Sequence, residues 1–346
     1  MDRKRLLITS VVVVVLVVLV ILQAHAYRKF DWSAFGHEIA QVNWWMVLAA
    51  IGVVHLADAL RAVRWSIFLR PVRSISPLKL LAAQYIGFAG LALLGRPGEF
   101  IRPYIIAKRA RMTFASQVAV WTVERICDMS AVAIILACDL LFADTLRTFP
   151  QYDTIRAGGV TLITLVGFGA LIAFIVWKYG GQIAARLEAN HQPSHIRHRL
   201  AFRIRSFGEG LHTIHDVPSF FAVAGLSLSI WMLIASSYWL VLHSYTDPEL
   251  TTLSLVHSIL LMAGSVAGGV LQLPLVGGGS QLATINLLLY LFNVNPDEPE
   301  LATSCGILLW LVTFMSVLPL GLILARMEHV SLRKITSESV HQEEAL

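Results

Sequence analysis

The stretch Gly95-Arg96-Pro97-Gly98-Glu99-Phe100-Ile101-Arg102-Pro103 cuts across an apolar run from 78 to 113. Glycine frees the backbone, and proline removes a helical donor, so the run reads as two half-helices joined by a polar break. A second apolar run, 250 to 293, is broken in the same way by LPLVGGGSQ, Leu273 to Gln281. Six further stretches, at about 6 to 22, 43 to 69, 114 to 141, 156 to 178, 218 to 242 and 300 to 326, have the roughly 17 to 25 residues needed to cross a bilayer.

The composition agrees with this. Of 346 residues 56% are hydrophobic and 14% charged, where soluble domains carry about a quarter charged residues. The mean hydropathy is +0.68. This is the composition of an all-α polytopic membrane protein. Its formal charge of +5 is therefore no argument for nucleic acid. Cys127, Cys138 and Cys305 all fall in apolar segments, which excludes a disulfide framework and a paired-cysteine metal site and argues against redox chemistry.

Basic residues favour cytoplasmic loops. With the N-terminus inside, that side receives Arg3 to Arg5, the group Arg61, Arg64, Arg70, Arg73 and Lys79, the group Arg96 to Arg111, the 178 to 217 segment and the C-terminus. Both termini are then cytoplasmic, and the two broken hairpins enter from opposite sides. Each hairpin lies between two full spans, which gives an inverted repeat of the kind found in secondary transporters. The expected organisation is an N-terminal anchor and outer linker (1–42), a first half (43–155) with a re-entrant hairpin (78–113), a connecting span and cytoplasmic segment (156–217), a second half (218–326) with its hairpin (250–293), and a tail (327–346). The alternative is that both arms of each hairpin cross fully. The first apolar run, followed by Ala24-His25-Ala26, resembles a signal peptide, but its length favours a retained signal anchor.

Charges inside the bilayer are costly and mark candidate sites. In the first break Arg96 and Arg102 have the chemistry to hold a phosphate while Glu99 orients one of them, near a half-helix N-terminus that favours anions. The alternative is a capped turn whose arginines touch bulk lipid. In Val123-Glu124-Arg125-Ile126-Cys127-Asp128, Glu124 and Asp128 share a helix face, either pairing with arginines or holding a coupling proton or cation. In the second break Gly277, Gly278 and Gly279 let backbone amides approach a ligand, with Ser280 and Gln281 as neutral polar groups, unless they serve helix packing alone. Asp58, Arg61 and Arg64 read as snorkelling anchors, and Asp139 as a solvated residue near the outer interface.

RAVRW (Arg61 to Trp65), GRPGEFIRP, ERICD and the late proline and glycine break together resemble the flippase-like family that includes the membrane domain of lysylphosphatidylglycerol synthase. The resemblance covers about residues 40 to 326. It implies movement of phospholipids or polyprenyl-linked lipids across the cytoplasmic membrane, with Arg96, Gly98, Glu99, Arg102, Glu124, Arg125, Asp128 and Gly277 to Gly279 as candidate residues. The common family form has an acid after the glycines where this chain has Gln281, so a role for that carboxylate does not carry over. Only about twenty residues follow Arg326, so the soluble aminoacyltransferase domain of the bifunctional synthases, and lysyl transfer with it, is not expected.

Between 196 and 211, Ile196, Leu200, Ile204, Phe207 and Leu211 recur at helical spacing against Arg197, Arg199, Arg203 and Arg205, an interfacial helix suited to anionic lipid. His191, His195 and His198 lack a cysteine or carboxylate to complete a metal site. No Walker A, nucleophile elbow or HExxH motif occurs, so neither cofactor nor metal is expected. The expected function is transport of a lipid with an anionic headgroup, driven by an ion gradient or passive. The alternatives are a membrane transferase or hydrolase using Glu124 or Asp128 as base, and an accessory subunit; association of identical copies is left open.

Overall fold

The computed structural model describes residues 32–142, 152–188, 216–269, 272–273, 277–295 and 299–328. The first apolar run, the amphipathic 196 to 211 stretch, the histidines from 191 to 215 and nearly all of the tail lie outside the described residues. Among the described residues the structure is helical apart from turns and one antiparallel pair of two-residue strands.

A short helix α1 (Trp32–Ala40) leads into α2 (Trp44–Leu69), whose first turn is capped by Asn43 accepting from the Trp45 amide at 3.1 Å. Helix α3 (Pro77–Leu94) starts with proline at its first position, where the missing N–H costs nothing. It ends at Gly95, whose φ of 69° is a conformation that a side chain would strain. A single 3-10 turn (Arg96–Phe100) and α4 (Ile101–Ala110) follow, then α5 (Phe114–Phe142) and α6 (Tyr152–Glu188).

Helix α7 (Val217–Leu242) is capped by Asp216, and a one-turn α8 (Pro248–Thr251) precedes α9 (Leu255–Gly268). Strands β1 (Gln272–Leu273) and β2 (Gly277–Gly278) then pair, Gln272 opposite Gly278 and Leu273 opposite Gly277. Helix α10 (Gly279–Asn286) continues into a π-helical turn (Leu287–Leu291). The last apolar stretch is α11 (Glu300–Trp310), a π-helical turn (Leu311–Met315) and α12 (Val317–Met327).

Among the described residues, α2, α3, α7 and the composite Glu300–Met327 are long and apolar enough to cross a membrane. Three of these coincide with expected full spans. Helix α5 has the length, 29 residues, but carries its charges in mid-helix. The first run breaks at Gly95 and Pro97 and the second between α9 and α10, and the arms of the first are unequal. The 18 residues of α3 reach about 27 Å, enough to cross, while the ten of α4 reach about 15 Å.

Helices α2 and α7 form the most extensive contact. Helix α3 packs on α12 and α2, α9 on α7 and α5, and α5 also on α7 and α4. The apolar core divides into two clusters at different levels. One takes Val47 to Ala57 of α2, Ala131 to Leu140 of α5 and Ile230 to Leu242 of α7. The other takes Ala62 to Leu69 of α2, Val120 and Val123 of α5 and Val223 of α7. Between them, at one level, lie Asp58, Arg61, Glu124, Ser227 and Asp128, all buried.

Candidate functional site

Helices α2, α4 and α5 each deliver arginine or carboxylate to the level between the two apolar clusters. Arg64, fully buried on α2, pairs with Glu124 at 3.0 Å and Asp128 at 2.8 Å, and donates to Ser227 Oγ of α7 at 2.7 Å. The i, i+4 spacing of Glu124 and Asp128 puts both carboxylates on the face of α5 that meets α2. Arg102 of α4 pairs with the second oxygen of Glu124 and donates to Gln84 Oε1 of α3 at 2.7 Å. Its guanidinium lies 4.8 Å from the Trp65 ring centre and 5.9 Å from that of Phe88. Trp231 Nε1 donates to Asp128 Oδ1 at 3.1 Å.

Arg102 reaches Glu124 because α3 and α4 approach closely. A Cβ on Gly87 would lie 2.5 Å from Arg102 Cβ, and one on Gly98 would lie 2.2 Å from the Gly90 carbonyl oxygen. No side chain fits at either point.

In front of this buried layer lies a cavity of about 120 Å³, lined by Arg96, Glu99, Arg102, Arg125, aromatic Phe88 and Trp121, and the backbone of Gly87 and Gly269. That is space for several waters or a phosphate and too little for an acyl chain. Arg96 pairs with Glu99 at 2.5 Å, and its other terminal nitrogen donates to the Gly269 carbonyl at 2.5 Å. Gly269 caps α9, so Arg96 joins the first break to the arm leading into the second. Arg125 pairs with Asp128 at 3.0 Å and keeps 36% of its side chain exposed; Arg96 keeps 49%.

The charges do not cancel. Around the layer and the cavity, Arg61, Arg64, Arg96, Arg102 and Arg125 face Asp58, Glu99, Glu124 and Asp128, and the more exposed of these cations, Arg96 and Arg125, both line the cavity. The cavity wall itself carries Arg96, Arg102 and Arg125 against the single carboxylate of Glu99.

Of the residues expected from sequence, Arg96, Glu99, Arg102 and Arg125 meet at the cavity, while Glu124 and Asp128 stand behind it as partners of the arginines. Gly98 serves the packing of the break on α3. Gly277 and Gly278 form the strand pair, and Gly278 has φ of 99°. Gly279 lies against Gly268, Ser280 lies beyond Gly269, and Gln281 is buried; none of these five lines the cavity.

Two expectations need correction. Asp58, Arg61 and Arg64 are not snorkelling anchors: all three are buried, Arg61 paired with Asp58 at 2.8 Å, because α7 and α3 cover that side of α2. Asp139 is buried at 7% exposure, not solvated. Sequence reasoning also missed Gln84, Ser227 and Trp231. The stripe His55, Asp58, Arg61, Arg64, spaced by three along an apolar helix, was the available signal for the α2 group.

A family model described as the lysylphosphatidylglycerol synthase TM region matches residues 7–327. The chain belongs to that family. The match spans both broken runs and every residue of the cavity, so the site lies inside the synthase-type transmembrane region. No curated protein and no solved structure matches the chain. Among the described residues, no three histidine, cysteine or acidic side chains come together as a metal site.

Proposed function

We propose that this multi-pass membrane protein of the lysylphosphatidylglycerol synthase transmembrane-region family moves a lipid with an anionic headgroup, a phospholipid or a polyprenyl phosphate, across the cytoplasmic membrane. The observation that carries the proposal is the cavity at the first break, where three arginines face one carboxylate. Arg96, Arg102 and Arg125 bind the phosphate and Glu99 holds Arg96 in the empty site. The tail stays in the bilayer, since the cavity has no room for it.

The reading includes an inverted repeat with re-entrant hairpins and cytoplasmic termini. Its support is the reciprocal packing: α2 meets α7, the first hairpin arm meets the last span, and the second hairpin arm meets α5. Carriage is favoured over catalysis by Glu124 and Asp128. Each accepts from arginine on more than one side, which leaves neither free as a general base.

The test is reconstitution of the full chain in liposomes with labelled phosphatidylglycerol and a polyprenyl phosphate analogue. Wild type translocates at least one of them, and the Arg96→Ala variant loses this. No translocation of either lipid by wild type, with or without an ion gradient, overturns the proposal.

A further inference from the structure

Three of the buried or half-buried carboxylates are committed. Glu124 is held by Arg64 and Arg102; Asp128 by Arg64, Arg125 and the Trp231 indole; Glu99 by Arg96. Asp58 differs. It is 2% exposed, about 17 Å from the Leu69 end of α2, and a single guanidinium, Arg61, reaches one of its oxygens at 2.8 Å.

Its surroundings point two ways along α2. One turn towards Trp44 is His55, half-buried, with Nδ1 3.0 Å from the Tyr85 hydroxyl of α3 and the two ring centres 5.5 Å apart. One turn towards Leu69 is Arg61, whose guanidinium lies 5.5 Å from the Phe88 ring centre, while Arg102 lies 5.9 Å from the same ring. Phe88 lines the cavity. Arg61 and the cavity therefore share the Phe88 ring.

The ionisable groups around Asp58 are few. Its own helix brings His55, Arg61 and Arg64, α3 brings Tyr85, α4 brings Arg102, and α5 brings Glu124, Arg125 and Asp128 beyond Arg64. Helix α7, on the other side, has no acidic or basic side chain from Val217 to Leu242, and its Tyr238 donates to Ser265. The π-helical turn 311–315 carries none.

Resting on the function proposed above, we infer that Asp58 is a proton-binding site coupled to headgroup binding. A proton bound by the Asp58 carboxylate removes one negative charge and frees Arg61. The positive charge beside Phe88 then rises by one, and an anion in the cavity is held more tightly. Linkage makes the effect reciprocal: an anion in the cavity favours the protonated aspartate. Proton and anion enter together, and a proton gradient can then drive the lipid.

The test uses the purified full chain in detergent and water-soluble dihexanoyl phosphatidylglycerol. Calorimetry in two buffers of different ionisation enthalpy reads both the affinity and the protons exchanged. Wild type takes up to about one proton per lipid bound, and its affinity falls by at most about tenfold per pH unit as pH rises. Asp58→Asn, which keeps an acceptor for Arg61, binds without uptake and with a flat pH profile; Asp58→Glu restores both. Binding by wild type without proton uptake overturns the inference while sparing the proposed function. Uptake that survives Asp58→Asn, or that disappears in Glu99→Gln, overturns it as well, the latter by assigning the proton to the cavity. Absence of binding by wild type at every pH overturns the function and the inference with it.

Discussion

Arg64 with Glu124 and Arg96 with Glu99 are both arginine–carboxylate pairs within one membrane domain, yet they lie in opposite surroundings. The first is closed: both side chains are 0% exposed, and each has further partners. The second is open: Arg96 is half exposed, and its remaining contact is a neutral backbone carbonyl. A buried pair is tied to the fold because either partner alone would be an uncompensated charge in a medium of low dielectric. An open pair is free to exchange its partner, and a phosphate is a stronger partner for a guanidinium than a carbonyl. Burial and saturation, more than residue type, separate the frame of this site from its working surface.

The largest effect should come from breaking the closed pair. Glu124→Ala leaves Arg102 buried without a carboxylate and Arg64 with Asp128 alone, at a cost of about 3–5 kcal/mol, and thermal unfolding in detergent should show a strongly lowered midpoint or no folded protein. Gly98→Ala comes next, since its new Cβ would press on the Gly90 carbonyl. About 1–3 kcal/mol of stability should be lost by the same measurement, and Arg102 displaced from Glu124. Arg96→Ala should sharpen the contrast, leaving unfolding within about 1 kcal/mol of wild type while weakening phosphatidylglycerol binding about tenfold. The smallest effect is expected of Glu99→Gln. Removing the competing carboxylate should tighten binding by about threefold in the same titration.

Much of the frame is legible in the sequence. Gly95 and Pro97 mark one break and Pro274 with its glycines the other, because such residues cannot continue a helix without cost. Arg96, Glu99, Arg102 and Arg125 stand out as charges in apolar runs, and all four line the cavity. The α2 group was harder to read. Its i, i+3 stripe is visible, but Arg64 near a helix end fits an anchor equally well until α7 and α3 are known to cover it. Gln84, Ser227 and Trp231 carry no such mark, since lone polar or aromatic residues in apolar helices are ordinary and only the tertiary packing brings them to Arg102, Arg64 and Asp128. The inequality of the first hairpin's arms was hidden for a related reason: hydropathy registers how apolar a run is, not at which residue the helix stops.

Arg96 and Arg125, the half-exposed arginines of the cavity, are the proposed seat of an anionic headgroup. Native mass spectrometry of the full chain, extracted from bilayers of mixed phosphatidylglycerol and phosphatidylcholine, tests this most directly by comparing wild type with the Arg96→Ala, Arg125→Gln double variant. Retention of phosphatidylglycerol over phosphatidylcholine by wild type, lost in the double variant while its unfolding midpoint shows the protein still folded, is the result expected. Equal retention of both lipids by wild type, or a preference that the double variant keeps, would contradict the account.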